Sequence, residues 1–454
     1  MAEHQTDVII IGMGPGGESV GGQLGEAGLN VIGIEANLVG GECPYYGCIP
    51  SKMMIRAANA LAEVGHVEGL AGSAQATPDW APVAQRIREQ ATADWDDQIA
   101  VDRFVGKGGT FVRGRGVITA PKTVQVGDDT YVASKGIVIA TGTQALVPPI
   151  PGLEGTPYWT NKEIVQVETL PKSMVVLGGG VIGLELGQAL SRFGVKVSVV
   201  EGQERLLSNF EPEVGDTIAE TLTNGGIDIH TGQFAESVSH SEASGFTVTL
   251  ADGTEVTGEK LLVAVGRKTF LKELGVGNLG IDENSRFMEI DENTQVQDGL
   301  WAVGDIAGRG LYTHLALKQA DVTVAQILGT EATPVNYDAM AAAVFTDPEI
   351  GVVGKTEAEA RDAGVNVKTA FKLVAHTARG WMHMHGNDGF IKLVVDADRD
   401  VLIGATSVGP HGGEVLGMLA LAVHAEIPIS TLRSMTYAYP TFYKGVEDTL
   451  RELD

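Results

Sequence analysis

The sequence predicts an α/β fold: two doubly wound parallel sheets, then a separate α+β domain at the C-terminal end. Three observations predict it. A strand–glycine turn–helix–strand unit opens the chain as DVIIIG, GPGGESVGGQLGEAG and LNVIGIE, and recurs as SMVVLGG, GVIGLELGQALSRFG and VKVSVVE. The copies lie 166 residues apart (178 − 12), so the repeat is one βαβ unit rather than a short solenoid period. From about Val335 the pattern changes to alternating strands, FIKLVVD and VLIGATSV, around an apolar helix, EVLGMLALAVHAEI.

Between the copies, Ser51 to Val64 reads as a helix and His66 to Thr77 as a small-residue linker. A charged helix is expected over Pro82 to Phe104, then short β segments from Thr110 to Tyr131 and the apolar strand GIVIATG. VPPIPGLEGTP marks a domain crossing. After the second unit, Asp252–Gly253 forms a hairpin turn, LWAVGDIAG is a strand ending in a glycine-acid turn, and a helix runs to Leu328. A short helix after Pro440 closes the chain.

The glycines of the first unit are Gly12, Gly14 and Gly17, with Glu35 ending its second strand; in the second they are Gly178, Gly180 and Gly183, with Glu201. The acid follows the last glycine by 18 residues in both (35 − 17 and 201 − 183). The first glycine makes a tight turn, the second admits a pyrophosphate to the backbone, and the third packs helix on strand. The helix N-terminus then faces the phosphates and the acid bonds a ribose hydroxyl. A lone loop of this kind would be a weak signal. Two copies with the acid in place imply two Rossmann-like dinucleotide domains. Glu201 and Glu204 would repel a 2′-phosphate, so NAD is expected at the second; Arg205 is the nearby cation that would admit NADP.

A chain of 454 residues exceeds what one core supports. A formal charge of −26 argues against nucleic acid or anionic membrane as the main partner. The N-terminal segment has no basic region, and no apolar run is long enough for a membrane span. A cytoplasmic, reducing setting is expected.

The two cysteines, Cys43 and Cys48, both fall in GGECPYYGCIPSK, just after the first glycine loop. At the start of a helix, the dipole and nearby amides stabilise a thiolate. A pair of inert buried thiols competes with this reading; a closed zinc site would need further ligands, and a structural disulfide conflicts with the compartment.

With that motif in place the chain resembles the class I pyridine nucleotide-disulfide oxidoreductases, which include dihydrolipoyl dehydrogenase, glutathione reductase and mercuric reductase. The resemblance spans essentially the whole chain and includes IATG ending at Gly142, GGGVIGLE at Gly178–Glu185, AVGR with Gly266 and Arg267, WAVGD with Gly304 and Asp305, and VFTDPEIGVVG. It implies an FAD domain over 1–147, an NAD(P) domain over 148–268, a central segment rejoining FAD over 269–334, and a dimerisation domain over 335–454. Gly41 joins the FAD-binding residues, and Asp305 would bond the flavin ribitol. Lys52 would sit near flavin N5 and pair with Glu185. Hydride would pass from nicotinamide to flavin to the disulfide, with Cys48 against the flavin and Cys43 attacking substrate. The implied assembly is a homodimer.

One departure matters. The family normally ends in His-Pro-Thr-x-x-Glu, whereas this chain reads YAYPTFYKG, with Tyr439 at the His position and Lys444 at the Glu position. A phenol is a poor base near neutral pH. Lys444 would stabilise a tyrosinate at Tyr439, or else Tyr437, Tyr439 and Tyr443 are interface packing. No C-terminal cysteines remain for mercuric or large thioredoxin reductase chemistry. The leading expectation is an FAD-dependent, NAD(P)H-linked dithiol–disulfide oxidoreductase acting on a small-molecule substrate, a disulfide or a quinone, that the sequence does not name. A flavin hydride-transfer enzyme, quinone reductase or soluble transhydrogenase is the alternative, and a redox-sensing flavoprotein the third. His383 and His385 have a spacing that would suit a metal on a strand, but a solvated loop is expected instead; His314 is read as packing at least as readily as a flavin neighbour, and Met53 and Met54 as core.

Overall fold

The computed structural model describes residues 2–453 as two compact units: Met1–Pro50 with Gln85–Leu146 and Arg267–Val335, and Ser51–Ala84 with Val147–Gly266 and Asn336–Asp454.

In the first unit, the strand Glu3–Ile11 runs parallel between Val31–Glu35 and Asp129–Ile139. Gly109–Arg113 extends the sheet on one side, and Leu300–Ala302 with Gln295–Gln297 on the other. Ile9 and Ile11 face one hydrophobic cluster and Val8 and Ile10 another, because successive residues of a strand point to opposite faces. That accounts for the unbroken apolar run: both faces are covered.

The expected helix over Pro82–Phe104 is interrupted. Helix Ala81–Arg86 passes into a π turn at Ile87–Ala91, and Ala93, Asp94 and Trp95 adopt φ of +49°, +59° and +58° before helix Gln98–Gly106. Tertiary bonds override the helical pattern there. Trp95 Nε1 donates to the Tyr45 carbonyl at 3.1 Å, and Asp97 accepts from Val39 N at 2.6 Å and from Arg113 at 2.6 Å.

The second unit holds a four-stranded parallel sheet ordered Asp228–His230, Lys196–Val200, Ser173–Leu177 and Lys260–Val263, beside a three-stranded antiparallel meander. It also holds a five-stranded antiparallel sheet, on which helices Gly412–His424 and Lys444–Leu450 pack. Lys392, on strand Phe390–Asp396, is buried among three glutamates: its Nζ lies 3.0 Å from Glu211, 2.8 Å from Glu213 and 3.1 Å from Glu357. Glu211 also accepts from Glu357 N at 2.7 Å. Met54 is fully buried, whereas Met53 is half-buried.

Candidate active site

The glycine loops fold as their spacing requires. Gly12 and Gly178 have φ of +92° and +108°, and a Cβ on either would lie 2.6 and 2.4 Å from a backbone oxygen of the neighbouring strand's end, at Ala140 and Ala264. A Cβ on Gly17 or Gly183 would lie 2.0 or 2.3 Å from the carbonyl oxygen of its own loop's first glycine. The middle glycines face open space: nothing lies within 4 Å of a Cβ on Gly180, and only Gly41 Cα, at 3.9 Å, near one on Gly14. Gly41, with φ +68°, is in turn held as glycine by Gly14, 2.8 Å from where its Cβ would be. Gly14 and Gly180 head helices Pro15–Glu26 and Val181–Ser191 with no side-chain cap. The open cradles and uncapped amides fit a dinucleotide pyrophosphate at each loop.

Both acids take part in the loop itself. Glu35 accepts Met13 N and Asn37 N, each at 2.7 Å; Glu201 accepts Gly179 N at 2.6 Å and Gln203 N at 2.7 Å. Each carboxylate oxygen keeps a lone pair for a ribose hydroxyl.

Cys43 lies in the helical turn Glu42–Tyr45, and Cys48 is the first residue of helix Cys48–Gly65. Both are thiols joined by a hydrogen bond, and Cys48 Sγ lies 3.6 Å from Thr313 Oγ1. Thr313 is the first residue of another helix, Thr313–Leu328. The bond to Cys48, and then burial, push the Cys43 thiol above its ordinary value, while the Thr313 hydroxyl pulls it down. Cys48 is the more exposed of the two.

Beside the pair runs a polar chain. Arg267 Nη2 donates to Glu42 Oε2 at 2.6 Å and to the Thr143 carbonyl at 2.7 Å, and its Nε donates to Thr143 Oγ1 at 2.7 Å. Thr143 Oγ1 donates to Asp305 Oδ2 at 2.9 Å. Arg267, expected among the cofactor-binding residues, thus braces the residue next to Cys43. Burial raises the Asp305 carboxyl above its usual range, with Arg267 and Thr143 opposing. Gly142 and Gly266 have φ of +62° and +134° and face open space; Gly304, at +79°, has only Ala316 nearby.

In the second unit, Lys52 Nζ lies 2.7 Å from Glu185 Oε2. Glu185 is only 3% exposed, and its other oxygen accepts Phe345 N at 2.7 Å.

At the C-terminal end Lys444 finds its charge partners along its own helix. Lys444 Nζ is held by Glu447 at 3.0 Å and Asp448 at 2.8 Å, the i+3 and i+4 positions of its own helix. Those partners, Asp448 first, raise the Lys444 pKa and use its charge. Tyr439 is 71% exposed, whereas Tyr437 donates to the Leu432 carbonyl and Tyr443 accepts from Ala438 N. His383 ends helix Ala378–His383, with its pKa lowered by burial, and His385 follows in the next turn; neither is on a strand. Among the described residues no group of three or more His, Cys, Asp or Glu is arranged to hold a metal. His314 stacks on Tyr312 with centroids 5.3 Å apart. No helix among the described residues is long and apolar enough to cross a membrane. Thr313, Thr143, Gln188 and Arg192 were not singled out by sequence; only their distant partners reveal them.

Two dinucleotide cradles and a close thiol pair define a flavin- and nicotinamide-dependent oxidoreductase. The family model for pyridine nucleotide-disulphide oxidoreductases matches residues 6–326, and its dimerisation-domain model matches 340–449. The chain is 32% identical over 457 residues to a dihydrolipoyl dehydrogenase of Halobacterium salinarum, covering 96% of this chain and 94% of that one. It is 30% identical over 454 residues to a mercuric reductase of Staphylococcus aureus, covering 97% and 81%. Among solved structures, the Cu(II) complex of the HOCl-induced flavoprotein disulfide reductase RclA from Escherichia coli superposes with a TM-score of 0.86 at 26% identity, covering 99% of this chain and all of that one. The chain belongs to the pyridine nucleotide-disulphide oxidoreductase family. It is an FAD-dependent disulfide oxidoreductase with NAD(P)H as electron donor.

Proposed function

We propose that the chain works as a homodimer that uses NADH to reduce a small disulfide through Cys43 and Cys48. The observation that carries this reading is the contact of the two thiols beside Thr313, at the head of a helix. Bound FAD supplies the two-electron relay between NADH and the sulfurs; overall NADH is oxidised, one proton comes from solvent, and a disulfide becomes two thiols.

Gly12, Gly14, Gly17, Glu35 and Gly41 hold the FAD pyrophosphate and ribose, and Gly142, Gly304 and Asp305 line its ribitol side. Gly178, Gly180, Gly183 and Glu201 hold NADH, with Gly266 on the path of the nicotinamide. Glu201 and Glu204 disfavour a 2′-phosphate by charge. Cys48 is the flavin-side sulfur, supported by its contact with Thr313, which follows Asp305 by eight residues (313 − 305) in the same unit. Cys43 attacks the substrate. Lys52, held by Glu185, places a positive charge by the flavin. The domains assigned to these roles are 1–147, 148–268, 269–334 and 335–454. Tyr439 faces outward, where a partner subunit would meet it.

The test is steady-state turnover of purified protein with NADH against a panel of small disulfides and quinones. Disulfide turnover abolished by Cys43→Ser is expected. Quinone turnover that survives Cys43→Ser, with no disulfide reduced, would replace this reading by direct flavin-to-quinone transfer.

A further inference from the structure

The helix Val181–Ser191 and the arginine that caps it carry Glu185, Gln188 and Arg192 at i, i+3 and i+7, on one face. All three grip one short segment. Glu185 accepts Phe345 N at 2.7 Å; Gln188 accepts Asp347 N at 2.8 Å and donates to the Asp347 carbonyl at 2.7 Å; Arg192 Nη2 meets Asp347 Oδ2 at 2.6 Å. Arg192 also reaches sideways, its Nη1 donating to Asn59 Oδ1 at 2.5 Å. The helix Cys48–Gly65 is therefore tied to the Val181 helix twice, by Lys52 to Glu185 and by Asn59 to Arg192.

The two ties are seven residues apart on both helices (59 − 52 and 192 − 185). Seven residues are two turns, about 10.5 Å along a helix. A single tie leaves a helix free to turn about it, whereas two ties two turns apart fix both its slide and its rotation. Gln188 and Glu185 are almost fully buried, and the bonds to Arg192 include a charged pair, so the frame is stiff where it meets Lys52.

We propose that Asn59, Gln188, Arg192 and Asp347 are positioning residues that hold the Lys52 ammonium in place. The inference rests on the reading of Lys52 as the charge beside the flavin. None of the four need touch a cofactor; each acts through Glu185 or through the register of the helix that carries Lys52.

The experiment compares Asn59→Ala, Arg192→Met and Lys52→Met, and the combinations of the first two with Lys52→Met, in the flavin-loaded enzyme. Flavin content and thermal midpoint check the fold; flavin midpoint potential and the stopped-flow rate of flavin reduction by NADH are the readouts. Asn59→Ala and Arg192→Met are each expected to slow flavin reduction roughly tenfold, the scale of a small misplacement. Both should shift the potential in the direction that Lys52→Met does, and neither should add to the effect of Lys52→Met. Equal effects with and without Lys52 overturn the inference alone, as does an unchanged potential at full flavin content. An inert Lys52→Met overturns the role of Lys52, and the inference with it. Asn59 is partly exposed and makes a single bond, so Asn59→Ala carries the test if Arg192→Met does not fold.

Discussion

Glu201 repeats, in the second glycine loop, the two bonds that Glu35 makes in the first: one oxygen on the loop amide after the first glycine, the other on the amide two residues beyond the acid. The acids are internal braces of their loops, whatever hold they have on the ribose proposed for them. In Glu201→Gln an amide nitrogen would face one of the two N–H donors. The loop should lose about 2 kcal/mol in urea denaturation of the flavin-free protein, within the cost of a buried unsatisfied donor. The KM for NADH should rise in the same variant; a raised KM with unchanged stability would leave Glu201 a ribose ligand only.

Gly180→Ala and Gly183→Ala separate binding from folding. A methyl at Gly180 meets nothing, so the fold should stand while NADH affinity falls. At Gly183 the methyl would lie 2.3 Å from the Gly178 carbonyl oxygen, and about 3 kcal/mol of stability should be lost. Thermal melts beside NADH titrations decide it.

Thr313→Val removes a hydroxyl that favours the thiolate while keeping the side-chain shape. Alkylation of the reduced cysteine pair by iodoacetamide at fixed pH should slow about fivefold, the worth of one hydrogen bond. An unchanged rate would make the Cys48–Thr313 contact incidental.

Lys444→Met should leave both limbs of the pH–rate profile of turnover where they are, since Lys444 spends its charge on Glu447 and Asp448. A shifted basic limb would restore its coupling to Tyr439.

Asp305 gives a pH dependence. Burial holds its carboxyl above the unfolded value of about 3.9, so the flavin-free fold is penalised above the folded pKa and relieved below the unfolded one. Asp305→Asn should therefore stabilise flavin-free protein by about 1 kcal/mol at pH 7. The gain should fade as the pH falls toward 4, and flavin affinity should drop. Urea midpoints at the two pH values check the sign.

Local features were legible in the sequence. The glycine loops and the cysteine pair depend on spacings of a few residues, and each acid stands at the same 18-residue distance from its last glycine, set by one helix and one strand. The hidden parts are partnerships between distant segments. Nothing near Thr143 or Arg267 announces that Arg267 will brace Glu42, or that Thr313 will reach Cys48. The break at Ala93–Trp95 was hidden for the same reason, since its cause is an indole bond to Tyr45. The fate of Lys444 was readable: Glu447 and Asp448 stand three and four residues on, helical neighbours that outcompete a tyrosine five residues back.

Lys392 sets a limit on how this chain can be recombined. Glu211 and Glu213 lie at the head of helix Pro212–Asn224, which follows the second glycine loop, while Lys392 is on the five-stranded sheet and Glu357 heads helix Glu357–Asp362. A chimera that grafts the stretch bearing the first of these helices onto another member's C-terminal sheet without a lysine there would bring carboxylates together with no counter-ion. In this chain the four residues work as a set, and a chimera made from it is expected to fold well only when all four are carried together.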